Sequence, residues 1–341
     1  MLVRLIASQW GINLFFISLL SCLVVLFLHP GFFHSLPLPD LVILRSFKTM
    51  FISIILEALP FILFGVLVSS FLQIFVSEKW IRRMIPRNPL LGILFACLLG
   101  IIFPVCECGL IPVVRRLIAK GMPLYAGVVF ILVGPIVNPV VYAATYVAFR
   151  TRPEMLAARM GLALLVGFAA GLAIYLFVRK NQLKNSSQTL YSDSSGNAGE
   201  HRHAGRGGKI SQMLEHAGSE FFEMGKYLMF GSIVTAAIQA FVPRGDLVDI
   251  GQGAFTSHLF MMGFAFVLSL CSTSDAFVAS SFLNTFSAGS LLTFMVFGPM
   301  LDFKGSLMLL SVFKTRFVLL LALLIIVTVL TGSLLIEQIY L

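Results

Sequence analysis

The chain has 341 residues, of which 58% are hydrophobic and 11% are charged. A soluble globular domain carries about 25% charged residues. A chain this poor in charge cannot cover a water-facing surface, so a cytosolic enzyme or a nucleic-acid reader is excluded, and the net charge of +9 marks the orientation of membrane spans instead.

A bilayer crossing needs about 20 mostly apolar residues. In chain order, 10–29, 47–76, 122–149, 159–178, 213–242, 286–311 and 317–336 meet that length. The first run has no small-residue cleavage site before Pro30 and reads as a retained span rather than a removed signal peptide. Two further apolar stretches, 90–119 and 254–283, are interrupted near their centres by polar and helix-breaking residues. The segment 180–209 is rich in Ser, Gly and Asn, the composition of a flexible linker. The expected organisation is therefore an N-terminal helix with an external loop (1–46), a first membrane repeat (47–179), a cytoplasmic linker (180–209) and a second membrane repeat (210–341).

Positive charge orients these spans. Lys79, Arg82, Arg83 and Arg87 put the loop 77–89 in the cytoplasm, and Arg115, Arg116 and Lys120 put the far end of 90–119 there too. Each half of that stretch is too short to cross alone. The segment is thus expected to enter from the cytoplasm, turn near PVCECG and return, with irregular backbone buried in protein or lining a cavity. The N-terminus and the linker fall in the cytoplasm, and Lys304, Lys314 and Arg316 mark another cytoplasmic end. Arg150, Arg152 and Arg159 then lie outside, against the rule. The expected location is the bacterial inner (cell) membrane, with many passes.

The two halves resemble each other. EALPFILFG at Glu57–Gly65 matches EMGKYLMFG at Glu223–Gly231, Cys106 matches Cys271, and Gly134-Pro135 matches Gly298-Pro299. Asn138 then falls opposite Asp302. A fixed offset between landmarks in the same order signals an internal repeat. With three crossings and one hairpin per repeat the second is inverted, as in many secondary transporters. The fold expected is an all-α polytopic transmembrane helical protein with two inverted internal repeats and broken or re-entrant helices.

Chemistry concentrates at the interruptions. In Pro104-Val105-Cys106-Glu107-Cys108-Gly109-Leu110-Ile111-Pro112 the two prolines remove backbone donors and Gly109 allows a tight turn. Two thiols one residue apart suit a soft or thiophilic centre, so Cys106 and Cys108 are candidates to hold a soft ion, although two ligands do not complete a tetrahedral site. Cys271 is the repeat-matched candidate for a third donor, whereas Cys22 and Cys97 read as small buried hydrophobes. Glu107 is an intramembrane carboxylate, a type that marks substrate or proton routes.

The mirrored interruption, Cys271-Ser272-Thr273-Ser274-Asp275, offers hydroxyls and one carboxylate. The candidate substrate-binding set is Cys106, Glu107, Cys108, Gly109, Asn138, Cys271, Ser272, Ser274, Asp275 and Asp302. Pro104, Pro112, Gly134, Pro135, Pro139, Gly298 and Pro299 are the expected structural breaks. Glu57, Glu107, Glu223 and Asp275 are candidates for proton coupling, with Glu223 also positioned to pair with Lys226 at i,i+3. His201 and His203 lie in the linker and read as solvated tether. No phosphate-cradling loop or nucleophile motif is present, so neither a cofactor nor an enzymatic activity is expected.

At PVCECGLIPVVRRLIAKGMP, GPIVNPVV, CSTSDAFVA and FGPMLDFKG the chain resembles the bacterial predicted-permease family, which includes the efflux permeases for trivalent organoarsenicals. The resemblance runs from about Phe47 to Phe317. It implies an inner-membrane permease exporting a small thiophilic solute, with Cys106 and Cys108 as the thiol positions. Gly134, Pro135, Asn138, Cys271, Asp275, Gly298, Pro299 and Asp302 match other motif positions of the family. The expected function is export of a small soft or thiol-reactive solute, organoarsenical or metal-like, through a site where the two repeats meet. The alternative is a non-transporting anchor or metallochaperone-type receptor. Expected partners are that solute or soft ion and the lipid bilayer, with a second copy or a soluble protein left open and nucleic acid excluded.

Overall fold

The computed structural model describes residues 41–86, 88–103, 105–178, 182–183, 208–241 and 253–339. The span 10–29, Pro104, Cys22, and the linker histidines His201 and His203 lie outside the described residues, as does most of the linker itself. Among the described residues the chain is all-α, with no named strand; one isolated antiparallel bridge joins Leu183 to Phe313. Five stretches are long and apolar enough to cross a membrane: 44–75, 154–177, 213–240, 288–312 and 315–339.

The first half begins with α1 (Leu41–Phe75), 35 residues long and so about 50 Å from end to end. It starts six residues before the expected span 47–76. After the short α2 (Glu78–Met84), Pro89 opens α3 (Pro89–Ile102), as its fixed φ and missing N–H favour at a first turn. Next come α4 (Glu107–Ala119), α5 (Leu124–Val133), α6 (Pro139–Ala148) and α7 (Glu154–Phe177). The second half contains α8 (Gly208–Phe241), α9 (Ala254–Leu268), α10 (Ser274–Ser281), α11 (Ala288–Met300), α12 (Phe303–Val312) and α13 (Thr315–Ile339). Apart from the extra seven-residue α2 in the first half, both halves thus run long helix, two short helices, broken helix, long helix.

Glycine contacts define the path of the first interruption. Gly92, early in α3, lies against Tyr125 at the start of α5, and Gly100 lies against Gly134 just past its end. These helices therefore run parallel. Leu110 of α4 meets Gly134, while Val114 and Ile118 meet Gly127, so α4 runs back the other way. The chain reverses at 103–106, and neither 14-residue α3 nor 13-residue α4 crosses alone. The second interruption reverses as well. Ala265 of α9 faces Gly298 of α11, and after α10 the rings of Phe282 and Phe286 lie back against Phe264 and Phe260.

The two central helices, α5 and α11, are buried from Tyr125 to Val133 and from Gly289 to Met300. They pack on each other, as apolar-all-round helices must. Around them α1 packs on α8 and α7 on α13. The return arm α4 meets α12, and α10 meets α6, so each hairpin touches the broken helix of the opposite half.

Several expected breaks are not breaks. Pro112 lies inside α4 and Pro299 inside α11, and Gly298 is helical too. Each proline removes only one i→i−4 bond, and close packing carries the helix past it. In the second half the break falls at Leu301–Asp302, where Asp302 caps α12. Gly109 makes no turn either. It is the third residue of α4, and a Cβ there would lie 2.7 Å from the Phe61 carbonyl oxygen, so its role is close approach to α1. Gly134, Pro135 and Pro139 do flank a real break, between α5 and α6.

Candidate functional site

The two hairpin tips and the two broken helices bring four helix N-termini, those of α4, α6, α10 and α12, to the interior. Such ends carry partial positive charge and leave backbone N–H groups to be satisfied. Polar side chains meet that need. The Asn138 Oδ1 accepts from Val141 N at 2.9 Å, and the Asp302 Oδ1 accepts from Gly305 N at 2.6 Å. Asn138 also donates through Nδ2 to the Gly134 and Pro135 carbonyls, tying the break to its own cap. Glu107 and Asp275 stand in the first turns of α4 and α10.

At the first tip, Cys106 is the N-cap of α4 and half-buried, and Cys108 is buried beside it. The Cys108 thiol points at Glu107 Oε1, 3.7 Å away. The ammonium of Lys304, from the first turn of α12, lies 3.7 Å from Glu107 Oε1 and 3.8 Å from Asp302 Oδ2. It also donates to the Ser269 carbonyl at 3.4 Å. Ser269 ends α9 in the left-handed region, φ 47°, which aims that carbonyl away from its helix.

At the second tip the Ser272 hydroxyl donates to the Pro135 carbonyl at 2.6 Å, joining this hairpin to the first broken helix. Asp275 accepts from Arg159 Nη2, which also donates to the Ser272 carbonyl at 2.9 Å. Arg159 is 0% exposed and reaches Thr145 Oγ1 with its other nitrogen at 2.8 Å. Cys271 is half-buried, with Thr273 Oγ1 at 3.0 Å, Ser274 Oγ at 3.2 Å and the Glu57 carboxylate beside it. Asp275 is near enough to Glu107 to interact electrostatically, so the two tips share one polar interior.

Each expected site residue therefore has a place. Cys106, Glu107, Cys108 and Asp302 converge around Lys304; Ser272 and Asp275 converge on Arg159; Cys271 and Ser274 sit with Glu57. Cys271 makes its described contacts with its own tip and α1. Among the described residues no group of three or more His, Cys, Asp or Glu side chains is placed to hold a metal ion. Glu223 pairs with Arg115 at 3.0 Å, 108 positions away, rather than with Lys226.

Charges that read as loop markers are in fact interior partners. Lys304 and Arg159 form the site just described. Arg116 pairs with Glu220 at 3.3 Å, and Ser69 donates to the same Glu220 oxygen at 2.8 Å, joining α4, α8 and α1. Lys120 donates to the carbonyls of Leu72, Gln73 and Val76, closing the C-terminal end of α1. A further buried network, His258 with Thr293 at 2.8 Å and Glu337 at 2.7 Å, joins α9, α11 and α13 away from the tips. The available signal was position: Arg159 falls inside an apolar run and Lys304 two residues after a cap, where a loop charge has no place.

Beside the first tip lies an apolar cavity of about 220 Å³ between α1, α2, α3 and α4, reaching Val105 and Leu110 on either side of the thiols.

The family described as predicted permease matches residues 43–338. A Bacillus subtilis (strain 168) relative, UPF0718 protein YcgR, is 50% identical over 293 residues, 85% of this chain and 96% of its own. A Streptococcus mutans serotype c relative is 38% identical over 270 residues, 79% of this chain and 88% of its own. Its name assigns it, provisionally, as a two-component membrane permease complex subunit. No solved structure gives a significant match. A family match over residues 43–338, together with five stretches of crossing length among the described residues, identifies a multi-pass membrane protein that belongs to the predicted permease family.

Proposed function

We propose that the chain is a permease exporting a small soft or thiol-reactive solute, organoarsenical or metal-like, through the interior where the two hairpin tips meet. The observation that carries this reading is the cluster of buried Glu107, Cys108, Asp302 and Lys304 with half-buried Cys106 at the junction of one hairpin with the opposite broken helix. Charges inside a membrane are costly and concentrate on solute pathways. Thiols add affinity for soft centres, and the neighbouring apolar cavity suits an apolar substituent on the same solute. In this reading 47–179 and 210–341 are inverted repeats, joined by the cytoplasmic linker 180–209. Their hairpins enter from opposite faces, so rocking of one half against the other exposes the tips alternately.

The test is uptake into everted vesicles of a panel of soft metals, arsenicals and thiol compounds. Parent vesicles are expected to accumulate at least one compound, and Cys106→Ser/Cys108→Ser vesicles to lose that uptake. Equal uptake by both removes the thiols from the route.

A second reading has one observation in its favour, the name of the Streptococcus mutans relative as a complex subunit. In that reading the chain works only with a partner. Purified protein in liposomes separates the two, because transport without any other protein dispenses with the partner.

A further inference from the structure

The Lys304 ammonium occupies the position of a bound cation. Three oxygens from three separate elements surround it: Glu107 Oε1 of α4, Asp302 Oδ2 at the α12 cap, and the Ser269 carbonyl at the end of α9. That is an all-oxygen donor set, the kind hard cations take. The distances, 3.4 to 3.8 Å, exceed the roughly 2.8 Å of a charge-assisted hydrogen bond. The ammonium thus makes one long hydrogen bond, to the Ser269 carbonyl, and sits between the two carboxylates. Glu107 Oε2 and Asp302 Oδ2 are buried and receive no hydrogen bond. Two carboxylates, Glu107 and Asp302, face the one ammonium.

We infer that Lys304 is a tethered counter-cation that fills this oxygen cage and keeps inorganic cations out of the route past Cys106 and Cys108. A second unit charge about 4 Å from the ammonium is disfavoured by roughly a thousandfold at the effective dielectric of protein interiors. A neutral thiol-reactive solute feels no such repulsion and still reaches the thiols, so Lys304 selects by charge and, among the solutes proposed above, favours neutral ones over free metal ions. Fixed cationic groups exclude cations from membrane pores in the same way. The filtering role rests on the transport reading above, whereas the cage itself does not.

The experiment reads binding alone. Equilibrium binding of radioactive Ca²⁺ to the detergent-purified full chain is compared for the parent, Lys304→Gln, Lys304→Arg and the double variant Glu107→Gln/Lys304→Gln. Lys304→Gln is expected to bind one Ca²⁺ at least about a hundredfold more tightly than the parent, most of the Coulomb penalty being gone. Lys304→Arg is expected to behave as the parent, and the double variant to lose the gained site. A Lys304→Gln chain that folds only in the presence of Ca²⁺ supports the inference equally. It is overturned if folded Lys304→Gln binds no more Ca²⁺ than the parent, if Lys304→Arg gains the same site, if the double variant keeps it, or if Lys304→Gln is unfolded with and without Ca²⁺. None of these outcomes depends on whether vesicles carry a thiol-reactive solute, so failure of the transport reading is separately visible.

Discussion

The Arg159 guanidinium lies 2.9 Å from both carboxylate oxygens of Asp275, a residue 116 positions further along the chain. The same group holds the Ser272 carbonyl and the Thr145 hydroxyl. One buried side chain therefore fixes α7, α6 and the second hairpin tip together. A tip that must present side chains at a defined depth needs such an anchor, because its own short helix, eight residues long, has little stability alone.

Breaking this pair strands a charge in the interior. Asp275→Asn is expected to lower stability by about 3–5 kcal/mol, read as a fall in the thermal unfolding midpoint of the detergent-purified chain. Arg159→Lys should also lose stability, since an ammonium cannot reproduce the planar fork that spans these acceptors. An unchanged midpoint for Asp275→Asn removes the anchor role.

The two ion pairs between α4 and α8 should differ in strength. Arg116 and Glu220 are both buried, whereas the Glu223 side chain facing Arg115 is 38% exposed. Glu220→Ala is expected to cost about 3–5 kcal/mol. Glu223→Ala should cost less, because that carboxylate is only partly enclosed. Double-mutant cycles on the two pairs measure the contrast, and equal coupling energies contradict it.

Close packing of α1 on α4 depends on two glycines. A Cβ on Gly65 would lie 2.3 Å from the Gly109 carbonyl oxygen, a backbone atom that cannot move without the helix. Gly65→Ala is expected to destabilise by about 1–3 kcal/mol and, on the transport reading proposed above, to reduce uptake of a thiol-reactive solute by displacing Cys108. Gly161 has open space around its Cα, so Gly161→Ala should be neutral or stabilising by up to about 1 kcal/mol. Expression level and unfolding midpoint of the two variants, measured side by side, decide the matter.

Asn138 and Asp302 cap equivalent half-helices by different means. Asn138→Asp keeps the acceptor for Val141 but loses both donors to Gly134 and Pro135, and turns a carboxylate on two carbonyls. A loss of about 1–3 kcal/mol follows from the stranded acceptors. Asp302→Asn retains an acceptor for Gly305, while Asp302→Ala also forfeits the cap, about 1 kcal/mol beyond the loss of the carboxylate beside Lys304. Denaturation of the three variants in detergent gives the order. Asn138→Asp behaving as the parent would rule out the two-sided cap.

The sequence alone determined that the runs 47–76, 159–178, 213–242, 286–311 and 317–336 are long and apolar enough to cross a membrane and that the stretches 90–119 and 254–283 are interrupted. Partition into a bilayer depends on the apolar content of about 20 consecutive residues, a property local to the chain, and PVCECG and CSTSD announce their interruptions through composition. The reversal of α3 into α4 was legible for the same reason, since two short apolar pieces with basic flanks have few other arrangements. Tertiary structure alone decided who neutralises whom. Arg115, Arg116, Arg159 and Lys304 look like orienting loop charges in the sequence, yet each is buried against a carboxylate contributed by another helix. It also decided that Pro112 and Pro299 are carried inside helices and that the second break waits for Asp302. A charge or a proline has a cost set by what packs around it, and each of these four charges meets a carboxylate more than a hundred positions away in the chain.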